Sequence, residues 1–99
     1  MSDKYILVDG AVVAEPDLLK WTRWLANAER VVANTDVGEA SVSTVFLGLD
    51  HNISRRGPPV LWETMIFGGR HDGRQQRYTS RAAAEAGHLD AVALAKGAG

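Results

Sequence analysis

The sequence predicts an α+β fold: an antiparallel sheet of about four to six strands with two helices packed on it, in the order β-β-α-β-β-β-β-α. Three observations lead there. Two segments, residues 16–29 and 81–96, have the spacing or composition of helices. The remaining apolar runs are short and rich in β-branched residues. The runs after the first helix are joined by short connections, which favour antiparallel neighbours because a parallel crossover needs about a dozen residues or more.

Residues 5–8 and 11–13 flank Asp9-Gly10, a dipeptide that accepts the positive φ values of a two-residue hairpin turn. Pro16 suits the first turn of a helix, and Asp17 beside it favours the positive end of the helix dipole. Over residues 16–29, Leu18, Trp21, Leu25 and Ala28 make one apolar stripe and should face the core, with Trp24 at its margin and Arg23 solvated. Residues 30–37 form a β-branched run, and 36–39 a turn into the next strand. In that strand Val45, Leu47 and Leu49 alternate with Val42, Thr44 and Phe46, so both faces carry apolar groups, as in a central strand covered on both sides. Residues 60–67 form another strand, starting after Pro58-Pro59 and broken by Gly68-Gly69. Residues 75–79 are the most strand-like part of a polar segment, and Ser80 is placed to cap the alanine-rich helix that follows. On that helix Ala82, Ala86, Leu89 and Ala93 form a small-residue stripe suited to close packing, and Gly87 costs roughly 1 kcal/mol relative to alanine.

The 99 residues fit one domain spanning 1–99, with a modest core that association into a homo-oligomer would enlarge. With 45% hydrophobic residues, 23% charged residues and a net charge of −1, the composition is that of a globular protein. No global charge draws it to nucleic acid, and its apolar runs are far shorter than the roughly 20 residues that span a bilayer. The absence of cysteine rules out disulfides, thiolate metal sites and a cysteine nucleophile. The start MSDKYILVDG has no apolar signal region, which leads to the expectation of an intracellular protein.

The most informative stretch is residues 41–69, two apolar runs around a polar turn bearing Asp50, His51, Asn52, Arg55 and Arg56. Arginines 55, 56, 70, 74, 77 and 81 make the C-terminal half locally basic, and guanidinium forks match phosphate. Trp62, Phe67 and Tyr78 lie on neighbouring runs, so a planar base can stack while phosphates meet arginine; rings such as Trp62 and Phe67 more often belong to a core, and Tyr78 suits either role. Asp50 and Asn52 offer groups that read ribose hydroxyls or an adenine edge, or else they stabilise their own turn. Glu63, within an apolar run, needs a partner: an arginine such as Arg77 or Arg81 closing the hairpin, or else ligand hydroxyls. No metal-ligand spacing, nucleophile elbow, phosphate loop or dinucleotide fingerprint is present, so the residues favour binding without a metal or cofactor over catalysis.

The segments VSTVFLGLDHN (42–52), PPVLWETMIFGG (58–69) and RYTSRAAAEAGH (77–88) resemble a family of small phage and prophage proteins. Within that group the chain is similar to the anti-Thoeris protein 1 family, phage-encoded sponges for the nucleotide signals of bacterial defence systems. The resemblance implies sequestration of cyclic ADP-ribose isomers, and of cyclic oligonucleotide signals, without cleavage, in an oligomer within the bacterial host cytoplasm. Residues of suitable chemistry are Asp50, Asn52, Arg55, Arg56, Phe67, Arg77 and Tyr78. The turn Ser54-Arg55-Arg56 departs from the glycine-rich connection of the family pattern. Two competing readings are a phage inhibitor of a host defence protein, comparable to anti-CRISPR proteins, and an enzyme that degrades the same signals.

Overall fold

The computed structural model describes residues 3–54 and 56–97. Its element order matches the expected one: β1 (Tyr5–Val8), β2 (Ala11–Ala14), α1 (Leu18–Asn27), β3 (Val31–Val37), β4 (Ala40–Phe46), β5 (Trp62–Phe67), β6 (Gln75–Tyr78) and α2 (Arg81–Gly97). The fold is α+β with antiparallel pairing throughout, but the six strands divide into two sheets, β1-β2 and β3-β4-β5-β6. Asp9 and Gly10 both take positive φ, at 50° and 83°, as the hairpin turn requires.

The four-stranded sheet is covered by α2 on one face. Val42, Thr44 and Phe46 of β4 and Trp62, Thr64 and Ile66 of β5 are buried there against the helix, whose own buried residues are Ala84 and His88. This corrects the expected contact stripe on α2: Ala82, Ala86, Leu89 and Ala93 are exposed, and the helix turns Ala84, Gly87, His88 and Ala91 inward. Ser80 caps the helix, its Oγ accepting from the Ala83 N–H at 3.1 Å.

The opposite face, carrying Ser41, Ser43, Val45, Glu63, Met65 and Arg77, has no helix against it among the described residues. The expectation of a central strand covered on both sides therefore holds for one face only within the chain. Side chains of the flanking strands leave Val45 and Met65 half-buried.

The β1-β2 hairpin and α1 attach at one end of this sheet through Gly48. Its carbonyl accepts from the Tyr5 N–H at 2.8 Å and from the Trp21 indole N–H at 3.0 Å. Residue 48 has φ of +76°, and a Cβ there would lie 2.9 Å from Leu25 Cδ1, so glycine meets both needs. Trp24, at the margin of the α1 stripe, is half-buried and packs against the core: its ring meets Phe46 edge-on at 5.8 Å, and Phe46 meets Trp62 at 5.3 Å. Such aromatic pairs contribute roughly 0.5–1.5 kcal/mol each beyond area burial. Leu18, expected in the stripe, is 61% exposed because the helix is rotated toward Trp21 and Trp24.

Candidate functional site

Beneath α2, Thr44 and Thr64 face each other across β4 and β5 with hydroxyl oxygens 2.5 Å apart. The His88 ring completes this polar seam: Nδ1 lies 2.8 Å from Thr44 Oγ1 and Nε2 lies 2.9 Å from Thr35 Oγ1. Both ring nitrogens are thereby satisfied, and burial pushes the His88 pKa below the ordinary histidine value. The seam fixes α2 over the sheet. Thr44 is fully buried and His88 only 3% exposed, so their close approach serves packing.

Toward the β6 edge the same helix leaves a groove of about 360 Å³. Thr64 and Ile66 form its floor, Gln76 and Tyr78 of β6 one wall, and Gly87, Asp90, Ala91 and Leu94 of α2 the other. Arg74 enters just before β6, where its carbonyl accepts from the Ile66 N–H at 2.9 Å. Because Gln76 pairs with Thr64 and Tyr78 with Trp62, alternation turns both side chains toward the helix-covered face. Arg74 and Tyr78 stand four residues apart, roughly 13 Å along an extended chain. The groove thus offers a cation near one end, an aromatic ring near the other, and an amide and a carboxylate between apolar surfaces.

A second recess of about 270 Å³ adjoins it across Ile66 and receives Arg70, His71 and Lys96 together with Glu39.

The seven residues nominated from sequence do not share one recess in the single chain. Asp50 Oδ1 accepts from the N–H groups of Asn52 at 2.8 Å and Val60 at 2.9 Å, which makes it the organiser of its own loop. Asn52 donates to the carbonyls of Arg56 at 2.6 Å and Pro58 at 3.1 Å, and its Oδ1 accepts from Ser54. Arg56 is exposed on that loop, and Arg55 lies outside the described residues. Arg77 pairs with Glu63 at 3.0 Å on the open face of the sheet, the partnership expected of a half-buried carboxylate. Phe67 is 51% exposed at the far end of β5, opposite Ser41. Of the described nominees, Tyr78 lines the groove.

Arg74 belongs to the arginine set whose guanidinium groups match phosphate, though it is not among the seven nominees; Gln76 and Asp90 are not marked by the sequence as site residues. Gln76 is found by carrying strand alternation from Tyr78 back two residues; Asp90 carries no signal until the inward face of α2 is known. Among the described residues no cluster of three or more histidine or acidic side chains is disposed to hold a metal, and no helix is long and apolar enough to cross a membrane. Comparison with protein-family models, with curated proteins and with solved structures finds no match in any of the three.

Proposed function

We propose that this protein binds a small phosphorylated signal of the nucleotide class in the groove between β6 and α2 and holds it without cleaving it, as a phage sponge acting on a bacterial defence signal. The observation that carries the reading is the convergence of Arg74, Gln76, Tyr78 and Asp90 on one recess of about 360 Å³. A guanidinium suits phosphate, an aromatic ring suits a base, and amide and carboxylate groups suit exocyclic amines and ribose hydroxyls. The resemblance to phage signal sponges supplies the ligand class, cyclic ADP-ribose isomers first and cyclic oligonucleotides second, and the host cytoplasm as the place of action.

The test is a melting-temperature screen of the purified chain against cyclised ADP-ribose products and cyclic di- and trinucleotides. A ligand at 100 times its dissociation constant adds about 2.7 kcal/mol of folding stability. The expected outcome is a rise in melting temperature with at least one of these compounds and its recovery at unchanged mass from the denatured protein. A flat screen contradicts the reading, and recovery of a cleaved product moves it to catalysis.

A further inference from the structure

The N-terminal lobe concentrates exposed apolar side chains to a degree the rest of the molecule does not. Val8, Val12, Val13, Leu18 and Leu19 are all exposed, from 39% for Val12 to 71% for Leu19. Val12 and Val13 lie on β2, all four residues of which are exposed and which forms one edge of a two-stranded sheet; Val8 ends β1, and Leu18 and Leu19 open α1, which packs on β1. Two-stranded hairpins are marginal on their own; this one is backed through β1 by α1 and by the core, while its β2 edge stays open.

The direction of the free backbone groups follows from the ladder. Glu15 donates its N–H to the Lys4 carbonyl at 2.8 Å, and Tyr5 pairs with Ala14, Ile6 with Val13 and Leu7 with Val12. Hydrogen-bonded and non-hydrogen-bonded pairs alternate, so Glu15 and Val13 point their backbone groups at β1 while Val12 and Ala14 point theirs outward. The strand, Ala11-Val12-Val13-Ala14, carries none of the usual edge protections: no lysine, no proline and no bulge.

We propose that this edge pairs antiparallel with the same edge of a second copy, forming a continuous β1-β2-β2-β1 sheet across a two-fold axis. A two-fold axis always sets a strand's central residue against its own copy, which penalises a charged strand and costs this uncharged one nothing. The axis lies at Val13. Centred there, Val12 meets Ala14 of the second copy and Ala14 meets its Val12, each pair exchanging both N–H···O bonds through the outward groups. Centring on Val12 instead would draw the Gly10 turn into the ladder. The apolar core of the described chain is small, namely Val42, Phe46, Leu61, Trp62, Ile66 and Ala84, and association at the lobe adds apolar burial the chain lacks alone.

Val13 of the two copies forms a non-hydrogen-bonded pair, with Cα atoms at about the 4.5 Å that a disulfide accepts. The chain has no cysteine, so a Val13→Cys variant can form only intermolecular disulfides. Mild oxidation should crosslink Val13→Cys and leave an Ala82→Cys control on the exposed face of α2 uncrosslinked. In sedimentation of the full chain, the mass should climb with concentration from 10.7 kDa toward twice that value. Val12→Pro removes only an outward donor and should hold the mass at that of one chain with an unchanged circular dichroism spectrum. A wild type that stays single at concentrations far above the micromolar range overturns the proposal, whether or not the edge then takes a foreign strand. So does equal crosslinking at positions 13 and 82, or a folded Val12→Pro that associates as the wild type does.

Discussion

Gly87 and His88 adjoin in sequence and answer to different forces. A Cβ on residue 87 would fall against Cε1, Cζ and Oη of Tyr78, so glycine lets α2 approach the edge strand and shapes the groove wall. Gly87→Ala gains about 1 kcal/mol of helix propensity but overpacks the site at a cost of about 1–3 kcal/mol. Denaturant unfolding should show lower stability for the variant, whereas an unobstructed helix would show a gain. His88 titrates against the fold. Its folded pKa is depressed by burial, so the unfolded chain binds the proton more readily. Stability is therefore complete above the ordinary value of about 6.5 and is lost as pH falls below it, by at most about 1.4 kcal/mol per pH unit for the one proton. Comparing unfolding at pH 7.5 and 5.5 should show a loss in the wild type that shrinks in His88→Gln; an equal loss in both would remove His88 as its source. Neither role was legible in the sequence. Gly87 read only as a propensity cost, and a lone histidine gives no sign that two threonines on separate strands will meet it.

At the scale of elements, local chemistry marked the boundaries more faithfully than it marked the faces. The Asp9-Gly10 hairpin, the Ser80 cap and the Gly68-Gly69 break each fall where their backbone preferences put them. On α1 the boundary differs from the expected 16–29: Asp17, expected to favour the helix dipole, is the extended N-cap, its Oδ1 accepting from Leu19 N–H at 3.0 Å and Lys20 N–H at 3.1 Å, so the helix starts after Pro16 and runs over Leu18–Asn27. Asp17→Ala should cost about 1 kcal/mol, read as a melting temperature lower by about 4–8 °C in a domain of this size; an unchanged temperature would show that packing of Trp21 and Trp24 fixes the helix without its cap. The faces were harder. Alanines surround α2, so no apolar stripe stands out, and the inward side is chosen by Gly87 against Tyr78 and His88 against the threonines. On α1, two tryptophans compete for one core, and the indole N–H of Trp21 settles the rotation by reaching the Gly48 carbonyl.

Across the whole molecule, the α+β class and strand order were legible because each run is short, bounded by turn residues and joined to its neighbour without room for a crossover. The division into two sheets was not, since β1 meets the larger sheet region through single links, the Tyr5 N–H to Gly48 and Asp50 N–H to Asp3 bonds and a bridge between Lys4 and Leu49, and through packing of Tyr5 and Leu7 on the core, rather than through a ladder with a strand of that sheet. The proposed site lies elsewhere than most of the residues nominated from the sequence. Arginine beside aromatic pointed to a phosphorylated planar ligand, but strand alternation puts Arg77 and Tyr78, adjacent in sequence, on opposite faces of the sheet. That separation provides the most direct test of where the ligand sits. Calorimetric titration of the signal found by screening should show Arg74→Ala weakening binding at least tenfold, as loss of a charge-assisted bond worth about 1.5–3 kcal/mol requires. Arg77→Ala should bind as the wild type does. Undiminished affinity in Arg74→Ala, with the loss falling on Arg77→Ala instead, would contradict a site between β6 and α2 and place the ligand on the open face of the sheet.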